Sequence, residues 1–497
     1  MRKAAPDRTS IAKIIDPHFD RSLQSGNAPG MAYATLVNGD IACSRGIGTL
    51  SFDEDRPPDD HTAFRIASMT KSFTAATVLS LRDGGLLDLD TPVVKWVPEL
   101  AQGGPDAAVI TLRHLLTMGG GFATDDPWGD RQQDLDISAF RALLARGVTP
   151  VLHPGDRFEY SNMGYAILGL VITAVTGLPY TEVVRERVLV PLGMQETGFA
   201  PGELAASSVA SGYVKRSTGW QIEPLAASGA FSPMGGVLST VNDLAKWVSY
   251  LSGHRTGAGV ISEVSRREMQ RTQRLVAASS ATADAEQGQP PTVTGYGFGL
   301  FEELRPWGRS VFHSGGYPGF GSHMRWHSAS GLAVIALANG TYAPMAPVGL
   351  AALADLVQQL DVPTVAPLPQ VDGLDRAVAT VRRWLAASDP DGPEGTALRA
   401  LWSDNVERDL PWAERLKALE SLRRERRVLR EVPGSERRVE AGTVSWDLAG
   451  EDEAQTAAGR GKVRVTVMVA PHDTSLVQSL TVRPVSDRPE PATVNVS

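Results

Sequence analysis

The stretch Phe64-Arg65-Ile66-Ala67-Ser68-Met69-Thr70-Lys71 decides how the rest of this 497-residue chain is interpreted. Apolar residues follow it at helical spacing and Gly84-Gly85 ends the run, so the segment predicts a buried helix that begins near Ser68. Ser68 and Lys71 lie one turn apart on such a helix, on the same face and at the end where the helix dipole is positive. The sequence therefore predicts a hydroxyl and an amine together at the floor of a cleft.

The pair Ser68 and Lys71 is suited to nucleophilic chemistry. A serine hydroxyl is a poor nucleophile without a nearby base, and a lysine whose pKa is lowered by burial can act as that base. The four-residue pattern alone is weak, because Ser10-Ile11-Ala12-Lys13 fits it equally well. Context and partner residues must decide between the two segments.

Composition argues against several classes of protein. Hydrophobic residues make up 42% of the chain and charged residues 21%, as in ordinary globular proteins, and the net charge of -8 argues against a nucleic-acid partner. Cys43 is the only cysteine, which excludes an intramolecular disulfide and a thiolate metal cluster. Segment 1–15 has no apolar core of signal-peptide length, and no apolar stretch reaches the ~18 residues of a spanning helix. We therefore expect a cytoplasmic protein with no membrane partner.

Residues 1–361 are predicted to form one α+β domain. Asn38-Gly39 is a strong hairpin turn between strand patterns at 30–37 and 41–47. Short strands joined by glycine turns return between 297 and 338, which predicts an antiparallel sheet built from both ends of the domain. Helical patterns dominate between about 90 and 235. We expect helices to flank the sheet and an all-helical insert to interrupt it.

A second domain is predicted after a proline-rich linker at 362–375. Helical patterns at 377–385 and 412–429 precede three strand patterns, the clearest of which has valine at every second position from 463 to 469. Segment 376–497 is therefore predicted to be a small α+β or barrel-like module. None of its residues forms a pattern that suggests catalysis.

Two further motifs could complete a serine-based site, which needs proton donors and amide donors besides the nucleophile. The first is Tyr160-Ser161-Asn162, which directly precedes a helical pattern, so that a loop could aim Tyr160 and Asn162 the same way. A phenol beside the Lys71 ammonium is expected to have a lowered pKa and to relay protons. The alternative is that Tyr160 packs and Asn162 caps the helix.

The second motif is His313-Ser314-Gly315-Gly316, which is predicted to end one strand and to open a glycine-rich turn that reaches Gly321. Glycine lets the backbone approach a ligand closely, so the Gly316 N–H is a candidate oxyanion donor beside the Ser68 N–H. A plain hairpin with a surface histidine is the alternative.

Together these motifs resemble those of the serine β-lactamase and penicillin-binding-protein superfamily. Ser68-x-x-Lys71, Tyr160-x-Asn162 and His313-Ser314-Gly315 occur in its order and approximate spacing. The resemblance covers roughly residues 10–355 and is closest to the class C branch, with its D-alanyl-D-alanine carboxypeptidases, D-aminopeptidases, esterases and peptide-cyclising thioesterases. It implies a β-lactamase/transpeptidase-like fold, and the C-terminal module resembles the lipocalin-like appendages of some members.

The resemblance also implies roles for single residues. Ser68 would be the acylated nucleophile, and Lys71 and Tyr160 would share the acid and base work. Asn162 would orient both the substrate amide and Lys71. The N–H groups of Ser68 and Gly316 would bind the oxyanion.

The third motif departs from the family pattern. His313, Ser314 and Gly315 would bind or orient substrate, but β-lactamases usually carry lysine where this chain has His313. A lysine is a permanent cation suited to a substrate carboxylate, whereas a histidine is mostly uncharged near neutral pH. The departure favours the esterase, aminopeptidase and cyclase branches over a true β-lactamase.

The sequence thus predicts a serine hydrolase or acyltransferase that acts through an acyl-enzyme on small-molecule or peptide-like esters and amides. Transfer of a peptidyl group to an amine, as in thioesterase cyclases with carrier-bound donors, is the alternative reaction. A catalytically idle sensor or binding protein of the same fold is the alternative from another class. No cofactor or metal is expected, because His323 and His327 lie on an apparent strand without the HExxH pattern of a zinc hydrolase.

Overall fold

A computed structural model describes residues 8–54, 56–205, 208–255, 259–279, 291–363, 368–426, 429–450 and 462–485. The chain divides into two compact units, residues 1–366 and 367–497. The predicted linker at 362–375 includes residues 364–367, which lie outside the described residues.

The first unit contains thirteen α-helices and thirteen strands among its described residues, besides short 3₁₀ and π-helical segments. The helices are α1 Arg8–Gln24, α2 Thr70–Asp83, α3 Pro105–Ala108, α4 Leu112–Leu116, α5 Asp126–Gly129, α6 Ile137–Ala145, α7 Asn162–Thr176, α8 Tyr180–Val184, α9 Val190–Leu192, α10 Ser232–Gly235, α11 Val241–Leu251, α12 Glu263–Met269 and α13 Met345–Gln359. The strands are β1 Gly30–Val37, β2 Asp40–Gly48, β3 Thr62–Arg65, β4 Ser208–Val209, β5 Gly212–Arg216, β6 Gly219–Glu223, β7 Leu238–Ser239, β8 Arg274–Ser279, β9 Thr292–Tyr296, β10 Phe301–Arg305, β11 Gly308–Tyr317, β12 Phe320–His327 and β13 Leu332–Ala338.

An eight-stranded antiparallel sheet organises this unit, with the strand order β2-β1-β13-β12-β11-β10-β9-β8. The β1–β2 hairpin turns at Asn38 and Gly39, whose φ angles of +52° and +90° suit the turn that this dipeptide favours. Strand β1 also pairs with β13, so that Met31 lies opposite Ala338. The prediction of an antiparallel sheet that takes strands from both ends of the domain is confirmed.

The two faces of the sheet pack against different helices, because successive side chains of a strand point to opposite sides. Tyr33 belongs to the core that includes Phe19 of α1 and Leu353 of α13. Its neighbour Ala34 belongs to the larger core on the other face, which includes Phe73 of α2. Helices therefore flank the sheet on both sides, and α2 is embedded in the larger core.

The insert between 90 and 235 is mainly helical, but the prediction that it is all-helical is wrong. Strands β5 and β6 form an antiparallel hairpin, with Lys215 opposite Trp220. Gly219 follows the polar pair Ser217-Thr218 with a φ of +109°, a backbone conformation that favours glycine. The turn at Gly219 reverses the chain direction after only a few residues, so that β5 and β6 pair instead of forming a helix.

The glycine-rich turn predicted after His313 is also shorter than expected. Strand β11 runs on through Tyr317, and β12 begins at Phe320, so the whole third motif lies within a strand. Gly315 and Gly316 pair with Ser322 and Gly321 across the hairpin. Glycine weakens the strand pattern in the sequence, but here both glycines are needed for close packing rather than for a turn.

The second unit is an α+β module. Its described elements are α14 Leu374–Ala386, α15 Pro393–Arg399, α16 Val406–Asp409, α17 Trp412–Arg426, β14 Arg430–Glu431, β15 Arg437–Glu440, β16 Thr443–Ala449, β17 Val463–Val469 and β18 Val477–Pro484. The strands follow the open order β14-β16-β17-β18, with β15 also paired to β16. Trp384 of α14 and Trp446 of β16 share its core. The described strands form an open sheet, and helices share the core with them, as the α+β alternative predicts.

Within the described residues, no single helix has the length and apolar character needed to cross a membrane, although α7 together with the helical segment Tyr180–Leu192 passes that test as a bent pair.

Candidate active site

Ser68 lies in a tight turn, the 3₁₀ segment Ala67–Met69, between β3 and the buried helix α2. The turn is anchored behind it, because the Ile66 N–H donates to the carbonyl oxygen of Val237 at 3.0 Å. Ala67 has a φ of +48°, a left-handed conformation that costs a non-glycine residue about 1–3 kcal/mol. The residues packed around this turn hold it in the strained conformation. Ser68 is 8% exposed and lies at the floor of a cleft.

The Lys71 ammonium group reaches three acceptors and is fully buried. Its Nζ lies 2.8 Å from Ser68 Oγ, 2.8 Å from Asn162 Oδ1 and 2.9 Å from the carbonyl oxygen of Met234. Burial lowers the pKa of Lys71 to about 8, although the carboxylates of Asp126 and other neighbours oppose the shift. At this pKa a fraction of the Lys71 side chains is neutral near pH 7, and the neutral amine can accept a proton.

Tyr160 lies on the other side of this pair. The Lys71 Nζ is 4.9 Å from the centre of the Tyr160 ring, and Tyr160 lines the same cleft as Ser68. The prediction that Lys71 lowers the pKa of this phenol is wrong in direction. Burial, followed by the negative charge of Asp126, raises the Tyr160 pKa well above its usual value, which outweighs the lowering effect of the Ser68 hydroxyl. Tyr160 is therefore a neutral phenol near neutral pH.

Asn162 is the first residue of α7, and its side chain is fully buried. Its Oδ1 accepts from Lys71, and its Nδ2 donates to Asp126 Oδ1 at 2.8 Å. Ser161 is the N-cap, since its Oγ accepts from the Gly164 N–H at 3.2 Å, and the Asp125 carboxylate accepts from the N–H groups of Asn162 and Met163 at 2.6 and 2.8 Å. The helix start thus fixes Asn162 so that its amide oxygen faces Lys71.

His313 and Gly315 face the catalytic side of the sheet. His313 is 1% exposed, and its Nδ1 lies 2.7 Å from the carbonyl oxygen of Ser314. Burial and the nearby Lys71 lower the pKa of His313 to about 3, so its ring is neutral at any working pH. The surface-histidine alternative is therefore wrong. Gly315 has no room for a side chain, because a Cβ atom there would lie 2.4 Å from the carbonyl oxygen of Ile66.

Ser314 and Gly316 border the cleft from the same strand. Strand β10 pairs with β11 as far as Phe312, so among the described residues the segment 313–317 has no strand partner on that side. This leaves an open backbone edge beside Ser68. Ser68 and Gly316 line the same cleft, which has a volume of about 290 Å³.

The sequence did not single out Asp126, Asp130 and Tyr342, which also line this cleft. Asp126 and Asp130 belong to the segment Phe122 to Asp136, and the signal that the sequence offers is its five aspartates at 125, 126, 130, 134 and 136. Tyr342 follows β13 in an unremarkable turn and donates from its hydroxyl to Asp130 Oδ2 at 2.9 Å. No sequence pattern links two residues that are 212 positions apart.

Asp130 is a buried carboxyl without a salt-bridge partner among the described residues. It is 4% exposed, and burial raises its pKa to about 7 despite the hydrogen bond from Tyr342 and the charge of Lys71. Asp126 and Asp130 are the formally charged side chains among the described residues that line the cleft. When ionised, these two carboxyl groups bring negative charge to the cleft, opposite in sign to the Lys71 ammonium.

The structure brings all the predicted site residues together around Ser68. The competing tetrapeptide lies elsewhere, since Ser10 belongs to α1, whose buried residues pack on the opposite face of the sheet. His323 and His327 lie on β12, and the described residues contain no group of three or more His, Cys, Asp or Glu side chains that could hold a metal ion. The arrangement combines a hydroxyl, a lysine of lowered pKa, a phenol and an open backbone edge, which are the parts needed for acyl transfer.

Comparison with known proteins supports this interpretation. The family model described as Beta-lactamase matches residues 15–359. Protein flp of Staphylococcus aureus (strain MW2) is 28% identical over 339 residues, which cover 65% of this chain and 62% of that protein. The chain thus spans about three fifths of the length of the curated relatives it matches.

Solved structures share the fold. The octameric penicillin-binding protein homologue from Pyrococcus abyssi superposes with a TM-score of 0.62 and 21% identity, covering 93% of this chain and 97% of that chain. A class C beta-lactamase superposes with a TM-score of 0.58 and 19% identity, over 71% of this chain and 99% of that chain. EstCE1, a hydrolase with promiscuous acyltransferase activity, has a TM-score of 0.56 and 19% identity, over 70% and 99%.

Proposed function

This chain belongs to the Beta-lactamase family, whose fold is that of serine hydrolases, and we propose that it hydrolyses ester or amide bonds through an acyl-enzyme on Ser68. One observation carries the proposal: the buried Lys71 Nζ lies 2.8 Å from Ser68 Oγ. The other two contacts of this nitrogen orient it once it is neutral. A neutral amine has two N–H bonds and one lone pair, and the acceptors Asn162 Oδ1 and Met234 O take the two N–H bonds. The lone pair is then directed at the Ser68 hydroxyl.

Acylation follows from this geometry. Lys71 takes the proton of the Ser68 hydroxyl while Oγ forms a bond to the substrate carbonyl carbon, and the carbonyl electron pair moves onto its oxygen. The N–H groups of Ser68 and Gly316 are proposed to stabilise this oxyanion. When the intermediate collapses, the bond to the leaving group breaks, and the proton on Lys71 passes to that group. Tyr160 is proposed to relay this proton as a neutral phenol, because its pKa is too high for it to be the base.

The neutral ring of His313 supports a substrate that does not need a carboxylate. A penicillin-like substrate presents a carboxylate next to the scissile bond, which a lysine would neutralise. Here burial holds the pKa of His313 at about 3, and the charged groups among the described cleft residues are carboxylates. A substrate carboxylate would meet repulsion. We therefore propose small-molecule or peptide-like esters and amides without an essential carboxylate as substrates.

Intact-mass spectrometry tests the acyl-enzyme directly. The purified protein is treated with a fluorophosphonate and digested for peptide mapping, and one adduct is expected on Ser68. Ser68→Ala should carry no adduct, and Ser10→Ala should be labelled as the parent is. An idle binding protein would give no adduct on either variant, and labelling at Ser10 would refute the proposal.

Transfer of the acyl group to an amine is a second candidate reaction, favoured by the carboxyl groups of the cleft. Asp126 and Asp130 border the cleft. Asp130 is ionised above its pKa of about 7, and the ionised form attracts an ammonium-bearing acceptor and raises its local concentration. The protein would be incubated with a p-nitrophenyl ester and glycinamide, and hydrolysis and amide products would be separated by chromatography. Asp130→Asn is expected to lower the share of amide product while ester turnover persists. An unchanged share would exclude attraction of the acceptor by Asp130, and no amide product from the parent protein would exclude the reaction.

A further inference from the structure

A line of polar side chains runs beneath Ser314 on the side of the sheet that faces α13. Glu303 of β10 accepts from Arg325 of β12 at 2.6 Å. The Nε of Arg325 lies 3.4 Å from His323 Nε2, and His323 Nδ1 lies 2.8 Å from Ser314 Oγ. Glu303, Arg325 and His323 are 5%, 2% and 0% exposed, whereas Ser314 reaches the cleft. Three buried groups thus end at one hydroxyl beside the nucleophile.

The hydrogen-bond directions in this line follow from the chemistry of arginine. A guanidinium group can only donate, so His323 Nε2 must accept from Arg325. Arg325 is held in place by Glu303, by Ser310 Oγ at 2.8 Å and by the Phe312 ring, whose centre is 3.8 Å from the guanidinium carbon. The proton of the neutral imidazole is therefore on Nδ1. His323 Nδ1–H then donates to Ser314 Oγ.

The hydrogen bond from His323 determines which way the Ser314 hydroxyl can donate. Its oxygen already accepts from His323, so its own proton must point elsewhere, and its remaining open side is the cleft. The hydroxyl is thereby prepared to donate to an acceptor oxygen of a bound molecule. A serine hydroxyl that rotates freely would lose rotational freedom, and would have to break its hydrogen bonds to other partners, before it could donate to a bound molecule.

His323 itself cannot meet the substrate. It is fully buried, and its ring packs so closely against α13 that a Cβ atom on Gly349 would lie 2.4 Å from His323 Cδ2. Burial and the charge of Arg325 lower its pKa well below the usual value, so the ring does not become a cation in the working range of pH. Its influence on the reaction must pass through Ser314.

We infer that His323, held in one tautomer by Arg325 and Glu303, is a positioning residue that makes Ser314 a committed hydrogen-bond donor to a carbonyl oxygen of the acyl substrate. The inference rests on the proposed function and deepens it. Because His313 is neutral, recognition at this point uses a hydrogen bond in place of a cation. The favoured acyl donors are those with an amide or ester oxygen close to the scissile carbonyl, as in N-acyl amino acid esters.

A double-mutant cycle on purified full-length protein tests the inference. The variants are Ser314→Ala, His323→Leu and the double variant, and the substrates are p-nitrophenyl esters of an N-acetyl amino acid and of an alkanoic acid of similar length. Each single variant should lower kcat/KM for the N-acetyl substrate by about tenfold, and for the alkanoate by less than about threefold. The double variant should be no worse than Ser314→Ala. Independent losses that multiply to about a hundredfold, or equal losses on both substrates, would overturn the inference.

The matched control is His323→Asn, whose amide nitrogen can replace Nδ1 as the donor. It should restore kcat/KM for the N-acetyl ester to within about threefold of the parent, and a failure to do so while the variant folds would contradict the positioning role. The tautomer can also be read without turnover. Nitrogen-15 NMR of histidine-labelled protein should show protonated Nδ1 and unprotonated Nε2 for one ring that is absent in His323→Asn.

These readouts separate two failures. If the fluorophosphonate does not label Ser68 in the parent protein, the proposed function fails, and the NMR signal still decides whether the Ser314 donor is set as described. If Ser68 is labelled and esters are hydrolysed, an additive cycle or the opposite tautomer refutes the inference alone.

Discussion

Two segments of this chain carry the same four-residue pattern, and only one of them is built into a cleft. Ser10-Ile11-Ala12-Lys13 lies in α1, where Lys13 is exposed to solvent. Ser68-Met69-Thr70-Lys71 lies at the start of α2, where Lys71 is fully buried and hydrogen-bonded to three acceptors. An exposed amine stays protonated near neutral pH, whereas a buried one loses affinity for its proton. The comparison shows that spacing brings the hydroxyl and the amine together, but burial gives the amine its chemistry.

Removing the serine hydroxyl should give the largest difference in activity between the two segments. Ser68→Ala is expected to lower kcat for p-nitrophenyl ester hydrolysis by at least about 10³-fold. The substitution removes the hydroxyl that is hydrogen-bonded to Lys71, and the other two acceptors that Lys71 contacts are an amide oxygen and a backbone carbonyl oxygen. Ser10→Ala should leave kcat within about twofold. Steady-state kinetics on both variants gives the answer, and a large loss at Ser10 would mean that the wrong segment has been assigned.

Removal of the two amines is the next test. Lys71→Met should lower the rate of acylation by about 10²–10⁴-fold, because the nucleophile loses its base while the buried volume is kept. Lys13→Met should change the rate by less than about twofold, since an exposed side chain has no contact with the cleft. Stopped-flow release of p-nitrophenol measures acylation separately from deacylation. Equal effects at the two positions would contradict a role for burial.

The pH dependence of the intact enzyme should report the state of Lys71. The base is active when neutral, and burial lowers its pKa to about 8. The neutral fraction, and with it kcat/KM, should therefore rise about tenfold per pH unit below pH 8 and level off above it. A rate profile between pH 5.5 and 9.5 with a neutral ester measures this. A profile that is flat through pH 8, or that falls, would exclude Lys71 as the base.

A smaller effect is expected when a neighbouring charge is removed. The carboxylate of Asp126 favours the protonated form of Lys71, so Asp126→Asn should move the rising limb of the pH profile to lower pH. The hydrogen bond to Asn162 can be kept by the new amide oxygen, so the plateau rate should stay within about tenfold. Asp53→Asn, at a distant loop position, is the matched control and should not move the limb. A shift to higher pH would contradict the electrostatic account.

Several features could be predicted because they depend on near neighbours in the chain. Asn38-Gly39 specifies its hairpin locally, and the apolar run after Ser68 specifies a helix that must be buried. The motif His313-Ser314-Gly315-Gly316 predicts a glycine-rich turn, but both glycines lie within β11. Gly315 is constrained by the close approach of Ile66 and Ser322, and Gly316 by that of Tyr342, and neither approach has a local signature in the sequence.

The direction of the Tyr160 pKa shift also depends on residues that are distant in the sequence, and it could not be predicted from the motif alone. A cation next to a phenol lowers its pKa, and the sequence supplied the cation. The structure adds desolvation of the phenol in the cleft and the charge of Asp126, which act in the opposite direction and are larger. The contact between Tyr342 and Asp130 and the line from Glu303 to Ser314 likewise join residues on separate elements.

The sequence by itself determined the candidate nucleophile, its lysine one turn away, the order of the three motifs and the hairpin that starts the sheet. These features depend on helical and strand periodicity, which act over a few residues. Only the tertiary structure decided which serine–lysine pair is buried, which protonation states the side chains adopt and which hydroxyl is committed as a donor. Desolvation and charge act through space, and their balance at one atom depends on every element that packs around it.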